Sequence, residues 1–202
     1  MTSGRGGADD RPGSSSRGRK AAAFLLIVIL ALLAYMAWSG LEWYRLQPKR
    51  VTLDTPPTAS WSEYELSGDQ HQWIDRVGYP DSFQMMFFQE DVNGSLQTFR
   101  LESWDYFNDS VRLAFLNGSL ISEERVEFDV GTVVENPYRP EGFTAFMSLD
   151  QVLVATGIED YIVAPTEREL VDNAETYFAD RLVFGLVDGE LVYVETIIPE
   201  LE

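Results

Sequence analysis

The second half of this chain says the same thing twice. Asp69-Gln70-His71-Gln72-Trp73-Ile74-Asp75-Arg76-Val77-Gly78 aligns with Ser148-Leu149-Asp150-Gln151-Val152-Leu153-Val154-Ala155-Thr156-Gly157, a shift of 79 residues. Further on, Tyr106-Phe107-Asn108-Asp109 aligns with Tyr177-Phe178-Ala179-Asp180, and Asn117-Gly118-Ser119-Leu120 with Asp188-Gly189-Glu190-Leu191. There the shift is 71, so the second copy is 8 residues shorter in between. A repeat of this length is one supersecondary unit duplicated. The expected fold class is therefore α+β: an N-terminal transmembrane helix, then two tandem units, each a short helix plus an antiparallel meander of three or four strands.

Each copy opens on a capped helix. Asp69 with Gln72, and Ser148 with Gln151, have the capping-box spacing. Gly78 and Gly157 stand where a left-handed C-cap is wanted, and Pro80 stops the first helix from continuing. Strands follow over 83–89, 96–106, 111–115 and 120–128, and in copy two over 182–186 and 191–198. Asn93-Gly94, Asn117-Gly118 and Asp188-Gly189 are the dipeptides that close two-residue hairpins. Residues 96–106 alternate, with Phe99, Leu101 and Ser103 on one face and Glu102, Trp104 and Tyr106 on the other.

The N-terminal part reads differently. Residues 1–20 are rich in Gly, Ser and Arg and read as a disordered basic tail. Residues 21–40 carry no charge. As a helix they span about 30 Å, the thickness of a bilayer core. Tyr35, Trp38, Trp43 and Tyr44 fall where an aromatic belt meets the interface. Arg17, Arg19 and Lys20 place the N-terminus in the cytoplasm and the rest outside, a single-pass protein of the cell membrane. A cleaved signal peptide is the rival, but no well-spaced small-x-small site follows the apolar run. Residues 41–66, with Pro48, Pro56 and Pro57, read as a stalk. Units one and two are then 67–130 and 148–202, joined by a linker over 131–147.

Charge narrows the partners. Residues 51–202 hold thirty acidic side chains against seven basic ones, a net charge of −23, and all seven are arginines. A surface so acidic argues against nucleic acid and flat docking on anionic lipid, and it permits a basic protein partner or bound cations. The chain has no cysteine, so no disulfide frame and no lipidated cysteine exist.

No residue set for catalysis stands out, and the chain is read as a non-enzyme without cofactor or metal. His71 is the only histidine and has no nucleophile at triad spacing. Asp91, Asn93, Ser95 and Glu102 fit positions 1, 3, 5 and 12 of a calcium loop, but Leu96 stands where its glycine is required. The three Asn-x-Ser sequons, at Asn93, Asn108 and Asn117, are explained by turn chemistry. The aromatic residues are foremost core. Trp104, Tyr106, Phe87, Phe88 and Tyr177 are the candidates for a partner-binding aromatic face.

Gly78-Tyr79-Pro80, Trp104-Asp105-Tyr106 and Asn117-Gly118 in copy one, with Gly157, Tyr177 and Asp188-Gly189 in copy two, carry a resemblance. The region 67–198 resembles the outer-membrane assembly lipoproteins of the SmpA/OmlA type and the tandem-repeat β-lactamase inhibitory protein type. The resemblance implies helix-on-sheet modules used for protein contact. The expected function is a membrane-anchored extracytoplasmic interaction module, an accessory or assembly subunit, an inhibitor or a scaffold. An acidic ligand- or cation-binding sensor is the first alternative, and a carboxylate-dependent hydrolase the second.

Overall fold

A computed structural model describes residues 47–130, 134–165 and 174–197. The elements in chain order are β1 (Lys49–Thr52), α1 (Gly68–Val77), β2 (Ser82–Val92), β3 (Ser95–Tyr106), β4 (Val111–Leu116), β5 (Ser119–Arg125), a 3-10 turn (Pro140–Gly142), α2 (Leu149–Thr156), β6 (Asp160–Pro165), β7 (Glu175–Ala179), β8 (Leu182–Val187) and β9 (Glu190–Thr196).

The strands form one nine-stranded sheet in the order β1-β6-β7-β8-β9-β2-β3-β4-β5, antiparallel at every pairing. This corrects the expectation of two tandem helix-plus-meander units. β9 pairs with β2 through Gln84↔Glu195, Met85↔Val194 and Met86↔Tyr193, so the halves share one sheet. The reason is the edge. A meander standing alone leaves a row of unpaired N–H and C=O groups on its outer strand, and pairing the two edges over Gln84–Met86 and Tyr193–Glu195 satisfies part of both rows. Thr196 fastens the junction: its hydroxyl accepts from the Phe83 N–H at 2.8 Å. The segment read as a stalk contributes β1, which pairs with β6, and Leu53 N–H donates to Glu159 O at 2.8 Å. The expected membrane span, 21–40, lies outside the described residues. Among the described residues no helix is long and apolar enough to cross a membrane.

Both helices start on a full capping box. In α2 it is Ser148 with Gln151, as the spacing predicts. In α1 it is Ser67 with Gln70, two residues before the expected Asp69. Asp69 instead accepts the Leu120 N–H at 3.0 Å, tying α1 to the first residues of β5. Gly157 ends α2 in the left-handed region (φ 68°, ψ 18°).

Gly118 in the β4–β5 turn brings sheet and helix cap together. The Ser67 hydroxyl donates to its carbonyl, its φ is +78°, and a Cβ there would lie 2.8 Å from the Ser67 Cβ. Gly118→Ala should therefore destabilise the protein by more than about 1 kcal/mol, through a strained φ and a displaced helix cap. A denaturant midpoint equal to wild type would contradict this.

Alternation sorts the sheet into two faces. Phe83, Met85 and Phe87 of β2, Trp104 and Tyr106 of β3, Leu113 and Phe115 of β4, Leu182 and Phe184 of β8, and Val194 of β9 point to one side. There they form a single buried cluster with Trp73 of α1 and Val152 and Leu153 of α2.

Candidate functional site

The expected partner-binding residues do not share a surface. Trp104 is 0% exposed, and Phe87, Tyr106 and Tyr177 are also buried, all on the helix-bearing face. Trp104 packs on Phe115 with centroids 4.8 Å apart, Tyr106 stacks on Trp73 at 5.8 Å, and Tyr177 stacks on Phe184 at 4.9 Å. These four are core side chains here. Phe88 alone points to the opposite face, half-buried and stacked on Phe99 at 5.4 Å.

Beneath α1 lies a charged group on the aromatic face, of which the alternation of residues 96–106 places Glu102 there. Arg100 and Glu102 are 5% and 1% exposed. Glu102 Oε1 accepts from Gln70 Nε2 and Arg100 Nε, each at 2.8 Å, and its Oε2 accepts from Arg100 and from Trp104 Nε1 at 3.0 Å. The Arg100 guanidinium also donates to the carbonyls of Pro140 (2.9 Å) and Phe143, and it lies 3.9 Å over the Tyr64 ring. The network joins α1, the 3-10 turn, the 60s segment and β3. Each carboxylate oxygen already takes two donors, so the group works as a clamp and offers no open position for a substrate.

A second polar contact lies nearby. The Tyr79 hydroxyl donates to Glu141 Oε1 at 2.6 Å, and the Arg139 guanidinium lies 3.9 Å over the Tyr79 ring. The calcium-loop register does not assemble. Asp91 Oδ1 accepts the Gly94 N–H at 2.6 Å inside the β2–β3 hairpin turn, and Glu102 is in the buried clamp. Among the described residues no group of three or more His, Asp or Glu is placed to hold a metal ion. His71 is an exposed residue of α1.

Buried phenols set a limit at high pH. Burial raises the pKa of Tyr106, and burial together with the hydrogen bond to Glu175 raises that of Tyr177. Burial also raises Tyr64 and Tyr138. An unfolded tyrosine ionises near pH 10. Above that pH the unfolded chain binds fewer protons than the folded one, so stability falls as pH rises. Tyrosinate absorbance should then lag behind a free-tyrosine titration and rise together with loss of the folded circular dichroism. Full ionisation with the fold intact would contradict the burial.

The remaining surface is the other face of the sheet's first half. Gln84 and Met86 of β2, Leu101 and Ser103 of β3, and Ala114 of β4 line a shallow, mostly apolar depression of about 320 Å³. Phe88 and Phe99 continue it toward the β2–β3 turn, and Leu116 flanks it. Across β7–β9 the same face is closed: Thr176, Val183 and Tyr193 are buried. Among the described residues, the charges on this face include Glu90 on the ribbon beyond Phe88, Glu124, Glu195 and the pair in which Arg112 donates to Asp105 at 2.7 and 2.9 Å. The predictive signal was in the sequence. Met86, Phe88, Phe99 and Leu101 sit on the face opposite to Trp104, at alternate positions of two neighbouring strands.

No family model matches this chain, and neither does any curated protein or solved structure.

Proposed function

We propose that the chain is a membrane-anchored extracytoplasmic interaction module, held in the cell membrane by residues 21–40 with its N-terminus in the cytoplasm. Its outer region binds a protein partner and serves as an accessory or assembly subunit of a membrane complex. The observation that carries this reading is the face of β2–β4 that the described residues leave uncovered, an apolar depression on a sheet whose other face is filled by its own helices. Exposed apolar patches mark interaction sites where they extend over several side chains, and Phe88, Phe99 and Leu116 extend this one beyond the depression. The uncharged run of 21–40 supports the anchor, and the −23 charge of 51–202 supports a basic partner.

The test is the size and composition of the tagged full-length protein released from its native membrane in mild detergent. The expected result is a particle heavier than one chain with a second protein in fixed stoichiometry. A strictly monomeric particle overturns the reading.

A further inference from the structure

Two observations narrow the partner and the place. The first is a ribbon. β2 and β3 pair along their whole length, from Ser82↔Asp105 to Val92↔Ser95. β9 pairs with β2 only through Gln84–Met86, and β4 pairs with β3 only from Leu101 onward. Among the described residues, from Phe88 to Phe99 the hairpin therefore runs on with a strand neighbour on neither side, apart from its own partner strand. A two-stranded ribbon is marginal in water by itself, and a third layer laid on it supplies the missing burial. On the uncovered face its side chains run from Val92 and Ser95 through Glu90 and Gln97 to Phe88 and Phe99, and the two rings lead directly into Met86, Leu101 and the depression. From Val92 to Gln84 this track is about 27 Å long, the length of about 18 helical residues.

The second observation is charge. Glu90 lies on the track itself between Val92 and Phe88, Glu195 and Glu124 stand on the neighbouring strands β9 and β5, and among the described residues the cation on this face, Arg112, is engaged by Asp105. A second copy of this chain would bring its own −23 to the contact, and an anionic membrane or nucleic acid would be repelled likewise.

We infer that the track from Val92 to Gln84 is the docking groove for a basic amphipathic segment of another protein. Its apolar side lies along Phe88, Phe99, Met86 and Leu101, and its Lys and Arg residues flank it toward the acidic rim. This rests on the interaction-module reading, and the experiment separates the two.

A photo-crosslinking amino acid is placed at Phe99, at Leu116 or, on the helix side, at His71, each in the full-length protein in its native membrane. Thermal unfolding of each variant verifies the fold. The expected result is one and the same adduct from Phe99 and from Leu116, through a peptide of net positive charge, with none from His71 and with yield falling as salt is raised. An adduct from His71 alone overturns the groove and leaves the interaction module standing. Adducts to lipid, to a second copy or to an acidic segment overturn the groove as well. No adduct at any position, together with a monomeric particle, overturns both.

Discussion

Glu102→Ala should cost about 3–5 kcal/mol of stability, the range for removing one partner of a buried ion pair. The loss leaves the Arg100 guanidinium in the core with the Pro140 and Phe143 carbonyls and the Tyr64 and Phe87 rings around it and no counter-charge. Gln70 Nε2 and Trp104 Nε1 lose their acceptor at the same time. For a domain of this size the expected fall in Tm is roughly 6–20 °C. Replacing both charges together, Arg100→Met with Glu102→Leu, should recover much of that loss, because no charge is then left buried alone. The exposed pair between Arg50 and Asp160 is the internal control. Asp160→Asn should move the melting point little, since water already solvates both groups. Equal effects at Glu102 and Asp160 would remove the clamp from this account.

Trp104→Ala should be as damaging, at about 3–5 kcal/mol. The indole fills the space against Phe115 and gives Glu102 one of its four donors. Trp104→Phe should lose less, because the ring volume is largely kept and only the donor goes. The result distinguishes core from interface. A partner-binding tryptophan would lose association with stability unchanged, whereas this one should lose stability first. Denaturant unfolding of Trp104→Ala, compared with its co-purification, reads both.

The local elements were legible where a residue's own chemistry decides the outcome. Asn93-Gly94, Asn117-Gly118 and Asp188-Gly189 all make their turns, with positive φ at each of the six residues. Ser148 and Gly157 cap α2 as the spacing requires. The first helix was misjudged by two residues, because Asp69 and Ser67 are both good caps and only the nearby β4–β5 turn chooses between them. The arrangement of the halves was not legible. Nothing in 82–86 or 193–195 declares that these stretches pair with each other, and the decision rests on edges that exist only once the meanders have formed. Lys49–Thr52 was hidden among prolines and threonines that resemble a linker.

Of the candidate aromatic residues, Trp104, Tyr106, Phe87 and Tyr177 lie buried on the helix-bearing face, and Phe88 lies on the other. Alternation separated Trp104 and Tyr106 from Phe99 and Leu101 correctly, but it does not state which set faces the helices. Large aromatics drew the choice to Trp104, and burial claims the largest rings for the core. Arg100 and Glu102 sat two residues apart on that same face. Charges on a face have the look of solvent exposure, and only their mutual bidentate geometry, with donors from α1 and acceptors from the 3-10 turn, makes burial affordable.

The central claim is that the uncovered face of β2–β4 binds a protein. Its most direct test is Met86→Arg in the tagged full-length chain, with partner recovery and thermal unfolding measured on the same preparations. The substitution puts a cation on the floor of the depression, where a basic partner would meet it. The account predicts loss of the co-purified partner with Tm within about 2 °C of wild type. Recovery of the partner at wild-type stoichiometry from a folded Met86→Arg protein would contradict it.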